Sequence, residues 1–277
     1  MSNRRLTFFN AGLICMLVSS VAYSAALAGS NETAVDNIDS NFVGVVIGMI
    51  PDYYGSSNVE AAIGPTANYQ IDGTERYLLL QGSTFTANVL NNANWSAGPM
   101  LDYRAARDRH VEDSLIKKMD KIAGAIESGV FLEYELPVND KMKNYVLFHG
   151  DFEGSYNGAE GHLQVQYWQP FSEIMVAHIG LGTTYGNSKF MKKYFGITSA
   201  HDIALFPSLL GNPYNASSGI IGWNMQLGAT ASLSKKWLLS GSVNYEHLVG
   251  DAKRSPVVDQ RGSPNQWIGG IGLSYLF

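Results

Sequence analysis

Six histidines are the first places to look for chemistry in this chain: His110, His149, His162, His178, His201 and His247. A serine hydrolase needs a histidine base and a third group that orients it. His247 comes nearest, with Asp251 and Ser255 close behind it in sequence. The stretch Gly250-Asp-Ala-Lys-Arg-Ser-Pro256 reads more simply as a structured loop, whose Asp and Ser side chains satisfy nearby backbone donors. His149 and Asp151 lie two apart, as do Glu133 and Glu135, so each pair shares one face of an extended strand. Such pairs can hold a metal, but polar residues facing a barrel interior look the same. Gly269-Gly-Ile-Gly272 lacks the following helix that a phosphate loop requires. No catalytic residue, metal or cofactor is expected.

The elements that carry these residues are strands of two-faced character. In Trp95-Ser-Ala-Gly-Pro-Met-Leu-Asp-Tyr-Arg104, the apolar positions 95, 97, 99, 101 and 103 alternate with Ser96, Gly98, Met100, Asp102 and Arg104. The same rhythm runs through Ile122 to Glu135, Leu163 to Tyr167, Ile221 to Ala231, Trp237 to Glu246 and Trp267 to Phe277. A secreted sandwich would turn the apolar face to a second sheet, whereas a membrane barrel turns it to lipid. The aromatics near strand ends and the terminal Phe277 favour the barrel.

The N-terminus agrees. Arg4 and Arg5, an apolar run over roughly 6–21 and Ala26-Leu-Ala28 have the layout of a secretory signal peptide cleaved after Ala28. The expected division is residues 1–28 signal peptide, 29–40 a short periplasmic segment and 41–277 the barrel. Cleavage removes Cys15, which excludes disulfides and thiolate chemistry from the remainder. It also removes two arginines, leaving 17 basic against 24 acidic residues and a net charge of −7. That balance disfavours nucleic acid as a partner.

Turn and loop punctuation predicts an all-β fold, a transmembrane antiparallel up-and-down β-barrel of twelve strands, with ten as the alternative. The strands are placed near 41–50, 60–71, 75–82, 84–91, 94–104, 121–136, 143–155, 160–170, 173–186, 217–232, 236–248 and 266–277. Short turns should face the periplasm and the long segments near 51–59, 105–120, 187–216 and 249–265 the exterior. Tyr194-Phe195-Gly196 and Leu205-Phe206-Pro207 are too apolar for a free loop and should pack on the rim or inside the barrel. The interior charges Asp102, Arg104, Glu127, Glu133, Glu135, Asp151, Glu153 and Glu246 either pair and fill the lumen or line an open, cation-favouring one.

Several segments resemble the MltA-interacting protein family, also called the MipA/OmpV family. They are Pro51-Asp-Tyr-Tyr-Gly-Ser56, Gly98 with Tyr103 and Arg107, Tyr194-Phe-Gly196, and Gly250-Asp251 with Ser255-Pro256. They occur in order, and the chain ends in the family's Tyr-x-Phe. The stretch Asp108 to Leu115 matches only loosely. The resemblance implies a non-enzymatic outer-membrane barrel acting as a scaffold for a murein synthase and a lytic transglycosylase. Members have also been linked to permeability, adhesion and stress responses, so the alternatives are a small-solute, porin-like channel or a surface adhesion or stress-response barrel. Outer-membrane lipid and the insertion machinery are the other expected partners, with Phe277 resembling the signal that machinery reads.

Overall fold

The computed structural model describes residues 41–139 and 144–277. Twelve antiparallel strands close into a barrel in simple up-and-down order. They are β1 (Phe42–Pro51), β2 (Val59–Gln70), β3 (Tyr77–Gln81), β4 (Thr84–Asn88), β5 (Trp95–Arg104), β6 (Ala125–Asn139), β7 (Asn144–Ser155), β8 (Gly158–Ser172), β9 (Met175–Gly186), β10 (Gly219–Ser234), β11 (Trp237–Leu248) and β12 (Asn265–Leu276). The division of 75–91 into two strands holds. The expected signal peptide, the 29–40 segment and the tip of the β6–β7 turn lie outside the described residues.

Period-two patterning becomes inside and outside. In β1, Val43, Val45, Ile47 and Met49 are exposed, while Phe42, Val46 and Ile50 are buried. In β12, Trp267, Ile271 and Leu273 are exposed, between buried Gln266, Ile268 and Ser274. An exposed apolar belt of this kind around a closed sheet is the surface of a membrane-spanning barrel. No helix among the described residues is long and apolar enough to cross a membrane. The first and last strands pair from Phe42–Leu276 to Met49–Gly269, and the Phe277 amide donates to the Asn41 carbonyl at 3.0 Å.

Two sequence placements shift. Ile221 was expected on the same face as Trp223, but a bulge between Ile220 and Gly222 turns it inward, fully buried. Ile122 was expected to open β6 on its outer face. It precedes the strand instead, bridges to Arg107 and is buried. The turns sort by end as expected, with two additions. At the long-loop end, Gly82-Ser83 and Tyr156-Asn157 close β3–β4 and β7–β8 as two-residue turns. Because β3 and β4 are also short, the wall is lowest there. Next to it, β4 and β5 pair only at Phe85–Leu101 and Thr86–Met100 among the described residues.

The four long loops fold into a cap that includes short helices α1 (Ser188–Tyr194), α2 (Ala200–Leu205), α3 (Gly250–Arg254) and α4 (Pro256–Asp259). The Asn187 side chain caps α1 by accepting from the Phe190 amide, and Ser199 caps α2 by accepting from the Asp202 amide.

Candidate functional site

The lumen is filled in three layers. At the short-turn end the inward positions are large and apolar: Phe42, Tyr145, Leu147, Trp168, Leu238 and Leu276 are buried. Trp168 is fully enclosed, with Tyr145 stacked at 5.7 Å and His178 at 4.2 Å. Its indole N–H donates to Gln166 Oε1 at 2.9 Å, so the ring is fixed as well as packed.

Above this plug runs a chain of charged and polar side chains. His149 Nδ1 is 2.6 Å from Glu133 Oε1, and its Nε2 is 2.7 Å from Asp151 Oδ2. His162 Nδ1 is 2.7 Å from the other Asp151 oxygen and its Nε2 is 3.9 Å from Glu160. Arg104 ends β5 in the midst of Glu127, Glu153 and Glu160. Its guanidinium donates to Glu127 at 2.9 Å and to Glu160, and it lies 3.6 Å from Glu153. Its upper face rests on the rings of Phe190 and Tyr194, 5.1 and 5.4 Å from their centroids. Near the top, Tyr54 donates to Glu246 at 3.0 Å. The strand period explains the assembly: inward positions 149, 151 and 153 on β7 face 164, 162 and 160 on β8, and His149 faces Glu133 on β6, where Glu127 shares the inward parity.

The cap gathers most of the motif positions. Pro51 ends β1, and Asp52, Tyr53, Gly55 and Ser56 lie in the first loop. The Gly55 φ of +95° suits glycine, and its carbonyl accepts from Ser263 at 2.9 Å. Asp52 accepts from the Glu112 amide at 2.7 Å, and burial pushes its carboxyl above the usual range. The Tyr53 hydroxyl donates to the Arg261 carbonyl, and Arg107, itself buried, donates to the Tyr194 carbonyl at 3.1 Å. Burial also lowers the Arg107 pKa. Ser255 is fully buried and donates to the Phe195 carbonyl at 2.6 Å, tying the Ser255-Pro256 segment to Tyr194-Phe195-Gly196. Asp251 accepts from the Ser217 amide at 2.8 Å and pairs with Arg254. The ring of Tyr54 meets Phe195 at 5.3 Å. Tyr194, Phe195 and Phe206 are buried, so both apolar loop segments pack as expected.

Three motif positions lie elsewhere. Gly98 sits in the β5 wall, where a side chain would meet the β4 backbone. Tyr103 is exposed on the outer face, and Phe277 is at the short-turn rim. The hydrolase grouping does not assemble. His247 Nδ1 is 2.8 Å from Asn265 Oδ1 and its Nε2 is 3.3 Å from Lys253, while Ser255 and Asp251 bond to the partners above. Glu135 lies on β6 two residues nearer the short-turn end than Glu133. The sequence reading missed Glu160 and His162 as members of that chain. The signal was present, since both share the inward parity of Gln164 on β8.

Comparison with solved structures brings up other membrane barrels. The chain is similar to the COG4313 outer membrane channel of Pseudomonas putida F1, at 11% identity and a TM-score of 0.45, covering 91% of this chain and 98% of that one. It is also similar to the translocator domain of the autotransporter NalP of Neisseria meningitidis, at 10% identity, a TM-score of 0.42 and coverage of 94% and 93%. A FadL homologue of Pseudomonas aeruginosa matches at 10% identity, a TM-score of 0.42 and coverage of 95% and 96%. No curated protein matches in sequence. The family model for the MltA-interacting protein MipA matches residues 43–277, and the chain belongs to that family.

Proposed function

We propose that this protein is a non-conducting, non-enzymatic outer-membrane barrel that serves as an assembly partner for periplasmic cell-wall enzymes. The observation that carries this reading is the filled lumen. Trp168 and its neighbours occupy the short-turn end, buried ion pairs fill the middle, and the loop cap covers the far end. A channel would need an aqueous path through all three layers. The family name supports a lytic transglycosylase as the partner. Its contact must come from the short-turn end, which faces the periplasm in barrels of this class. The turns there are small, so the contact surface is compact and includes the exposed Phe171 and Ile174 of the β8–β9 hairpin.

The test has two arms. Purified protein in planar bilayers should give no discrete conductance steps at any voltage; regular steps would favour the channel. Cross-linking in intact envelopes should capture the lytic transglycosylase, and Phe171→Asp with Ile174→Asp should abolish capture while leaving the barrel folded. Undiminished capture by that variant would overturn the proposed contact.

A further inference from the structure

Asp102, Glu127 and Glu153 converge from β5, β6 and β7, each offering a carboxylate oxygen within 4.8 Å of the others. All three are almost fully buried, at 2%, 1% and 3% exposure. An acidic cluster in such a place needs compensation, because an isolated buried carboxylate is strongly disfavoured. Arg104 is the cation in contact, and it is shared among Glu127, Glu153 and Glu160. The lower histidines are engaged with Glu133 and Asp151. Four carboxylates therefore face one guanidinium, with His162 Nε2 reaching only Glu160 among them, at 3.9 Å.

The hydrogen bonding points the same way. Asp102 accepts from Thr84 at 2.6 Å and Ser83 at 3.2 Å, both through Oδ1. Its Oδ2 is buried with no hydrogen-bond partner, and so is Glu153 Oε2. Each carboxylate is thus held by one oxygen while the other is left bare. Glycine at 129, opposite Glu153 in the ladder, keeps the space beside it clear, since a Cβ there would come within 2.9 Å of the Glu153 Cβ. The cluster also lies level with the Gly82-Ser83 turn, where the barrel wall is lowest.

We propose that Asp102, Glu127 and Glu153 form a binding site for one hard divalent cation of the Ca2+ or Mn2+ type, which locks β5, β6 and β7 together beneath the cap. The donor set is all oxygen and anionic, which suits such ions and offers no sulfur or nitrogen to softer ones. Thr84 is a positioning residue, turning Asp102 so that Oδ2 faces the site.

The test uses the full mature protein, folded in detergent and stripped with chelator. Titration calorimetry with Ca2+, and electron paramagnetic resonance with Mn2+, should each report one bound ion. Asp102→Asn and Glu153→Gln should abolish binding, and Thr84→Val should weaken it by roughly tenfold. Glu246→Gln, a carboxylate outside the cluster, should leave it unchanged. Heat-modifiable gel migration checks that each variant is folded. If folded wild-type protein binds neither ion, or if folded Asp102→Asn binds as tightly as wild type, the proposal fails and the carboxyls are sharing protons instead.

Discussion

At the scale of single residues, charge placement decides the behaviour. Arg104→Met keeps the bulk but leaves Glu127, Glu153 and Glu160 without their guanidinium. Removing one partner from a buried ionic group costs about 3–5 kcal/mol. The variant should unfold at clearly lower denaturant in a tryptophan-fluorescence titration, or fail to reach the heat-modifiable form. The cap has its own titrating pairs, and their signs differ. Burial pushes Asp113 upward, but the Ile116 and Leu115 amides and Arg261, at 2.6 Å, outweigh it, so its pKa ends below the usual range. Asp251 is also lowered, chiefly by the Ser217 amide. A depressed carboxylate stabilises above its unfolded pKa and loses that contribution as pH falls through the folded value. Asp52, raised by burial, works the other way and favours the folded cap on acidification. The cap should therefore loosen to added protease below about pH 4, the ordinary carboxylate value. Asp113→Asn should flatten that dependence, and an unchanged pH profile in this variant would show that the Asp113–Arg261 pair does not hold the cap.

At the scale of elements, the strands were legible, and of the cap only that its two apolar segments must pack. Alternation in β5, β11 and β12 sets inside from outside residue by residue, because a strand has a fixed period and the two solvents differ. Loops have no such period. Nothing local in Ser188–Tyr194 announces a helix lying over Arg104, and the union of residues 51–56, 107, 194–196 and 250–256 exists only once the barrel has closed. The buried Glu160–Arg104–Glu127 contacts are equally non-local, although the parity of each member was readable. The bulge at Ile220 was hidden for a different reason, since one extra residue leaves the pattern on both sides intact. The cap's joint is open to test. Ser255→Ala strips the Phe195 carbonyl of its buried donor, a loss of about 1–3 kcal/mol. Limited proteolysis should then cut within 187–218 and 249–264 while the strand core survives. Resistance equal to wild type would mean that packing of Phe195 alone secures the joint.

At the scale of the whole molecule, a closed ring of strands under a tied cap is a rigid body with one thin place in its wall. The terminal joint of β1 with β12 runs from Phe42–Leu276 to Met49–Gly269, while β4 and β5 meet at Phe85–Leu101 and Thr86–Met100. Below that short ladder a single backbone bond follows, from the Val89 amide to the Ala97 carbonyl at 3.0 Å, and the Asn88 side chain accepts from the Ala97 amide at 3.0 Å. Amide exchange in detergent should therefore be fastest, among strand residues, at Thr86 to Asn88 and Ser96 to Gly98, and Asn88→Ala should hasten it. Slower exchange there than across β1–β12 would contradict the reading. The thin ladder also bears on how the molecule comes apart. A closed barrel must tear somewhere before its strands can separate, and the join between the two chain ends is the obvious place to expect a tear. Here the tear would start between neighbours in sequence, opening the ring into one curved sheet edged by β4 and β5, with the two ends of the chain still fastened to each other in its interior.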